Sequence, residues 1–361
     1  MFRFILKRLF YGLLVMFGVI TIVFLLFNVL PADPARMMLG QRADIASIEA
    51  INRDLGRDKS LITQYLNYLN DLSPISVHNF ADSKSYWYND STKYSPSARL
   101  FKISSRHEII IKEPYLRRSY QGKRKVSEIL AEAFPQTALL AVIAMLFASL
   151  VGITTGIICA IKKDSWFDRA ATVLSVFGMS LPSFFAAILI AWIFAFILSE
   201  YTHLSMFGSL YTVDDFGEGE HLDLRNIILP AITLGIRPLA VIVELTRSSM
   251  LEVLSQDYIR TARAKGLRFY KVVTRHALKN VMNPVVTAIS GWFASLMAGA
   301  VFVEYVFNWK GIGVVIVDGL NKYDFPVVMG ALLVIAVLLV LINILTDIIY
   351  GFLDPRIRLS G

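Results

Sequence analysis

Apolar residues in this chain are gathered into long runs rather than spaced one face at a time. Six runs stand out, at residues 9–30, 134–161, 170–198, 227–245, 281–307 and 327–353. A helix needs roughly 20 apolar residues to cross the hydrocarbon core of a bilayer, so the pattern predicts an all-α membrane protein with six transmembrane helices. The first run follows Arg3, Lys7 and Arg8 in the manner of a signal peptide. Its apolar part is too long for one and no A-x-A site follows, so a retained anchor helix over residues 1–30 is expected. The second run carries Ala141, Ala144, Ala148, Gly152 and Gly156, small residues that let helices approach closely. Pro182 interrupts the third run, which is tolerable in a span whose neighbours re-satisfy the freed backbone groups.

The polar connections set the expected orientation. Lys162, Lys163 and Arg169 follow the second run; Arg247, Arg260, Arg263, Lys265, Arg268, Lys271, Arg275 and Lys279 lie between the fourth and fifth, against only Glu252 and Asp257; Arg356 and Arg358 end the chain. Lys and Arg concentrate in cytoplasmic loops, which predicts both termini inside. The segment after the third run is acidic, with Glu200, Asp214, Asp215, Glu218, Glu220 and Asp223 against Arg225, and belongs outside.

Residues 31–133 form the one large stretch between spans and are expected outside. Ile48, Ile51 and Leu55, then Leu61, Tyr65, Leu66 and Leu69, recur at helical spacing with a break at Gly56, predicting two short amphipathic helices. Residues 73–116 are polar and aromatic, with a hint of strand at residues 108–111, and the pattern assigns them no fold. The remaining residues, 134–361, hold five spans as a core.

Composition excludes several function classes. The net charge of +8 would suit a nucleic-acid binder, but its placement follows membrane orientation instead, so no nucleic acid is expected. The single cysteine, Cys159, lies in an apolar run and allows no intrachain disulfide; five scattered histidines without HExxH or paired CxxC motifs offer no metal site. The spans hold no paired aspartates and no Ser–His pairing, so an intramembrane enzyme is not supported and no catalytic residues are assigned. No internal repeat supports an inverted-repeat carrier, although a stand-alone secondary carrier or channel remains the alternative.

The basic segment 247–280 carries the candidate chemistry. Asp257-Tyr258-Ile259-Arg260-Thr261-Ala262-Arg263-Ala264-Lys265-Gly266 begins at an N-cap-like Ser255 or Asp257 and stops at glycine. It reads as a short helix and a sharp break, with a second short helix over residues 270–278 leading into the fifth span. Such an element can receive a push from a docked partner and pass it to the spans; equally, its basic residues could face anionic lipid.

The segment resembles the EAA loop of ABC importer permeases. Arg260-Thr261-Ala262, three residues, Gly266, and His276-Ala277-Leu278 match that pattern, with Arg260 where Glu is usual and Lys279 where Pro is usual. Thr246-Arg247-Ser248-Ser249-Met250-Leu251-Glu252, Leu30-Pro31-Ala32-Asp33-Pro34-Ala35, Val126-Ser127-Glu128-Ile129-Leu130, Trp309-Lys310-Gly311-Ile312-Gly313 and Leu353-Asp354-Pro355-Arg356-Ile357-Arg358 are similar to the B-type subunit of the dipeptide/oligopeptide (peptide/nickel) branch. The likeness spans nearly the whole chain except residues 73–116, which read as an insertion. It implies a type I ABC importer permease fold in the bacterial inner membrane. The implied partners are a C-type permease, two ABC ATPases and an extracytoplasmic substrate-binding protein. Asp257, Tyr258, Arg260, Thr261, Ala262, Ala264, Lys265 and Gly266 would couple to an ATPase. No GxxxxGK[ST] motif occurs, so ATP and Mg are expected on partner subunits, with no cofactor and no bond chemistry on this chain. Di- or oligopeptide cargo is implied first; a nickel complex, glutathione or a sugar are the alternatives.

Charges inside the runs need separate explanations. Arg237, between Gly235 and Pro238, lies mid-span with Glu244 seven residues on, hence on the same helix face. Intramembrane charges face cavities or partners. The two residues could line the translocation path, with Arg237 meeting a peptide carboxylate, or Arg237 could pair structurally with Glu244, Asp347 or the partner permease. Asp347 and Asn343, one turn apart, suit capping or inter-span bonding. Glu304, Trp309, Gly311 and Gly313 are expected at an outer gate or a binding-protein contact.

Overall fold

The computed structural model describes residues 2–28, 59–82, 85–91, 93–94, 96–213 and 219–353. The predicted helix around Ile48 to Leu55, the acidic residues Asp214, Asp215 and Glu218, and the basic C-terminal tail lie outside the described residues. In chain order the elements are α1 (Phe2–Asn28), α2 (Leu61–Leu72), β1 (Ile75–Asn79), β2 (Ser97–Lys102), β3 (His107–Lys112), α3 (Val126–Ile161), α4 (Trp166–Ser180), α5 (Ser183–Ile190), β4 (Tyr211–Val213), β5 (Glu220–Leu222), α6 (Ile228–Leu254), α7 (Asp257–Ala264), α8 (Leu278–Gly299), α9 (Val301–Phe307), α10 (Ile312–Asn321) and α11 (Phe325–Leu353).

Among the described residues, four helices are long and apolar enough to cross a membrane: α1, α3, α6 with its leading turn, and α11. Two further crossings are bent pairs, which brings the total to six if each pair is one span. The third run is the sharper case. Its two helical parts meet at 114°, because Pro182 forces Leu181 into an extended conformation (φ −75°, ψ 130°). A run that reads as one interrupted span is therefore two helices turned against each other. Beyond α5 the chain widens into π-type turns over Ala191–Ile197.

Two compact units result, residues 1–15, 133–314 and 337–361 in one, and residues 16–132 and 315–336 in the other. In the first, α6 is the hub, with Leu234, Ile242, Val243 and Met250 among its buried side chains. The small-residue stripe of α3 brings backbones together as its composition suggests. A methyl group on Gly156 would stand 2.8 Å from the Val243 carbonyl, and one on Gly152 would stand 3.2 Å from the Leu239 carbonyl. Likewise Gly235 of α6 faces the Ala144 carbonyl at 2.9 Å. Side-chain dispersion and close backbone approach hold helices in lipid, where apolar burial adds little.

The second unit holds a three-stranded antiparallel sheet in the order β1-β3-β2, where the sequence pattern offered only a hint of strand. Its burial is inverted. Ser76, His78, Glu108 and Lys112 face inward with Ile110, while Ile75, Ile111 and Phe101 are exposed. Ser76, His78 and Lys112 are satisfied locally. His78 contacts the Ser76 hydroxyl and the Trp87 carbonyl, each at 3.1 Å, and Lys112 donates to the Asp71 carbonyl at 2.5 Å. Helix α2 is likewise turned from its expected face: Leu61, Ile62 and Leu66 are exposed, whereas Asn67, Tyr68 and Asp71 are buried. The Tyr86 and Tyr94 hydroxyls both donate to the Asp71 carboxylate, at 2.8 and 2.9 Å, and this pulls the polar side of α2 inward.

Candidate functional site

The coupling segment forms the device read from the sequence, with different edges. Helix α7 runs from Asp257 to Ala264. Gln256, not Ser255 or Asp257, is its N-cap, and no side chain caps it; Asp257 instead places a carboxylate in the first turn, where it meets the positive end of the helix dipole. At the other end Gly266 adopts φ +75°, a left-handed conformation natural to glycine, and its N–H closes on the Arg263 carbonyl at 2.9 Å. The second helix is not separate. A turn at Phe269–Lys271 passes through π-type turns over Val272–Ala277 and continues into α8.

Two side chains anchor α7. Ile259 is fully buried and Ala262 nearly so, in one apolar cluster with Val272, Val273, Ala277 and Val281 at the foot of α8. Ala262, assigned from sequence to partner contact, therefore faces the protein's own core. Ile259 was missed, although its apolar character inside a polar helix marks it. Of the other expected residues, Asp257, Tyr258, Arg260, Thr261, Ala264, Lys265 and Gly266 are all exposed. Arg260 and Asp257 stand 3.5 Å apart on the surface. Asn280 of α8 donates to the Tyr258 hydroxyl at 2.7 Å, and the Arg263 guanidinium lies over the Phe269 ring at 5.1 Å. The element is thus tied to the fifth crossing and open on its other side.

Another tie just before α7 was not foreseen. Arg247, near the end of α6, makes a two-pronged ion pair with Asp168 of α4: Nε to Oδ1 at 2.5 Å and Nη2 to Oδ2 at 2.8 Å. Asp168 is almost fully buried and also accepts the Asp164 N–H at 2.9 Å. In sequence Asp168 is one carboxylate among the basic residues of a short loop, and only the tertiary contact distinguishes it.

The four residues expected at the outer gate do come together, but inside the protein. Glu304 and Trp309 are fully buried, so neither offers a surface to a soluble partner. The Glu304 carboxylate accepts the Gly313 N–H at 2.6 Å. A methyl group on Gly311 would stand 2.5 Å from that carboxylate, so the glycines of the Trp309–Gly313 turn are there to admit it. Trp309 Nε1 donates to the Gln136 carbonyl at 3.0 Å, and the Ile312 N–H donates to the Thr137 hydroxyl at 2.9 Å. The arrangement is a staple between this turn and α3.

Arg237 and Glu244 are both exposed on α6. Among the described residues neither forms an ion pair, and the structural pairings of Arg237 with Glu244 or Asp347 are not made. Asp347 pairs instead with Arg8 of α1 at 3.1 Å, an inter-span contact of the kind its position suggested. The exposed stripe of α6 continues through Ser248 and Glu252. On α8, which packs on α6, Asn283, Thr287, Gly291 and Ser295 are exposed. Polar groups on membrane helices face cavities or other protein rather than lipid. Among the described residues no cluster of His, Cys, Asp or Glu could hold a metal.

The family model described as binding-protein-dependent transport system inner membrane component matches residues 152–359, and its N-terminal companion matches residues 1–82. The chain belongs to this family of inner-membrane ABC importer permeases. It is 35% identical to the di/tripeptide transport system permease protein DppB of Pseudomonas aeruginosa, and 34% identical to the glutathione transport system permease protein GsiC of Pectobacterium atrosepticum. Each match covers 99% of both chains. Among solved structures, an inward-facing MetNI methionine ABC transporter superposes with a TM-score of 0.51 at 15% identity, over 63% of this chain and 97% of that one. The shared fold is the type I importer permease fold, and the chain is a multi-pass protein of the inner membrane and a transport subunit rather than an enzyme.

Proposed function

We propose that the chain is the B-type permease half of an importer of di- or oligopeptides, driven by ATP bound to separate subunits. The observation that carries this reading is helix α7. It rests on the foot of α8 through Ile259 and Ala262 and exposes Asp257, Tyr258, Arg260, Thr261, Ala264, Lys265 and Gly266. A partner ATPase that grips this face when its dimer closes would move α8 directly, and the Asp168–Arg247 pair would carry α4 along. A second, C-type permease would complete the path, and a binding protein would deliver cargo from outside. The loop charges support both termini in the cytoplasm and residues 59–125 outside.

Peptide cargo is supported by the names of the relatives and by Arg237 and Glu244. Seven residues apart, the two opposite charges are separated by about 10 Å along the helix, close to the span of a short extended peptide at about 3.5 Å per residue. In this reading the path-facing stripe of α6 offers the cation to a peptide C-terminus and the anion to its N-terminus. The staple at Glu304, Trp309, Gly311 and Gly313 holds the outer end of the fifth crossing against α3 and serves as the hinge of the outer gate.

The test is reconstitution in liposomes with the two ATPases, the second permease and the binding protein. ATP-dependent peptide uptake is expected, and Ala264→Arg should abolish uptake and weaken ATPase binding. Uptake without any ATPase subunit would make the chain a stand-alone carrier. Uptake of glutathione in preference to other tripeptides would narrow the cargo to that peptide.

A further inference from the structure

A groove of about 350 Å³ runs between α4 and α6 in the first unit and plays no part in the transport reading. Helix α4 contributes Trp166, Ala170, Leu174 and Gly178 to it, and α6 contributes Ile236 and Ala240. Apart from Thr155 and Ser175 its lining is apolar. The two helices converge at one end. A methyl group on Gly178 would stand 3.0 Å from the Ile236 side chain, so the backbones nearly touch there. Ten residues earlier, at Asp168, the gap is spanned by the whole length of the Arg247 side chain. The groove therefore opens toward Trp166, the first residue of α4.

Length and width restrict what can lie in it. Trp166 and Gly178 are twelve residues apart, about 18 Å along a helix and close to the roughly 15 Å depth of one leaflet's hydrocarbon. Spread over that length, the volume makes a strip only about 4–5 Å wide, against about 10 Å for a helix with its side chains. Carbon atoms pack at about 3.5–4.0 Å, so the strip is one hydrocarbon chain wide. Leu174 on its rim is 69% exposed, as suits a position facing lipid.

The open end is cationic. Lys162 and Lys163 are exposed in the turn that enters α4, and among the described residues neither forms an ion pair or a side-chain hydrogen bond. Two carboxylates lie nearby in sequence: Asp164 is exposed, and Asp168 is already paired with Arg247. Trp166 is 82% exposed, and tryptophan at the end of a membrane helix settles at the headgroup level.

We propose that this groove is a site for an anionic phospholipid, with one acyl chain lying between α4 and α6 and the phosphate at Lys162 and Lys163. The apolar strip would accept a chain of any lipid, and the lysines select the anionic ones, because a zwitterionic headgroup brings a cation of its own. A lipid held there fills the gap that the Asp168–Arg247 pair bridges at one point, and so steadies the joint between the two helices. The inference needs only that the chain spans a membrane; it is independent of cargo and of the direction of transport.

The experiment is native mass spectrometry of the full chain purified in detergent, titrated with dioleoyl phosphatidylglycerol or dioleoyl phosphatidylcholine and read alongside thermal melting. Phosphatidylglycerol is expected to bind at least about fivefold more tightly than phosphatidylcholine and to raise the melting temperature, as a ligand of the folded state does. Lys162→Gln and Lys163→Gln should each weaken phosphatidylglycerol about fivefold, the worth of one cation at a lipid surface, and leave phosphatidylcholine unchanged. Arg169 lies on the opposite face of α4 from Phe167 and Ala171, and Arg169→Gln should have a smaller effect. Ala171→Phe, which fills the groove, should weaken both lipids; the lysine variants carry the test by themselves if it does not fold. Equal affinity for the two lipids, lysine variants without effect, or Arg169→Gln as damaging as either of them would each overturn the proposal. Cross-linking of Leu174→Cys to another protein chain in native membranes would overturn it too, by giving the groove to a subunit.

Discussion

Asp168 and Arg247 form a two-pronged ion pair, 79 residues apart in sequence, that ties the start of α4 to the end of α6. Arg247 lies ten residues before α7, so the proposed coupling helix and the two helices joined by the pair meet at one base. Removing Asp168 leaves Arg247, whose side chain is 27% exposed, without its counter-charge, which costs about 1–3 kcal/mol. Asp168→Ala should therefore lower the melting temperature of the purified chain by several degrees. Exchange of the two residues, Asp168→Arg with Arg247→Asp, should recover part of the loss. A melting temperature unmoved by Asp168→Ala would remove the pair from any structural role.

Ile259 anchors α7, and its side chain is fully buried. Truncation to Ala should cost about 2–5 kcal/mol locally, enough to free the short helix without unfolding the spans. Hydrogen exchange across residues 257–265 should speed up markedly, and uptake should fall even though every exposed contact residue is intact. Exchange unchanged in this segment would show that α7 is held by something other than its apolar face.

Gly311 has no room for a methyl group beside the Glu304 carboxylate. Gly311→Ala should destabilise the outer staple by about 1–3 kcal/mol, the usual cost of overpacking. Pairing it with Glu304→Ala, which removes the obstructing carboxylate, should make Gly311→Ala less costly than it is alone. Additive losses in that double variant, read by thermal melting, would contradict the close approach.

His78 gives the sheet-bearing unit a pH dependence. Burial and the nearby Lys112 ammonium push its imidazole down to about 4 from the usual 6.5. Tyr94 meets it edge-on, and Glu108 is its cross-strand partner. Between pH 6.5 and 4 the unfolded unit binds a proton that the folded unit refuses, so stability falls as pH falls through that window and is full above it. Hydrogen exchange of β1 and β3 should accelerate from pH 7 to pH 5 after correction for intrinsic rates, and His78→Asn should flatten that dependence. A flat profile in the unmodified protein would mean that His78 titrates normally.

The apolar runs made the membrane class legible from the sequence, and the basic segment marked the place of α7, because crossing a bilayer imposes one length scale and one composition on every helix. Gly266 announced the end of α7 for an equally local reason, since few other residues accept its backbone conformation. What the sequence left open is set by contacts distant in the chain. Ala262 and Ile259 share one short helix, and only the foot of α8 decides that they face inward. Asp168 looks like any loop carboxylate until Arg247 reaches it. Apart from the buried Ile110, the sheet runs against hydrophobic patterning, because hydrogen bonds around Asp71, Tyr86, Tyr94 and Lys112 accompany the burial of its polar face. Local propensity and hydropathy act residue by residue; which charges find partners, and which are left exposed, depends on where the folded chain brings them.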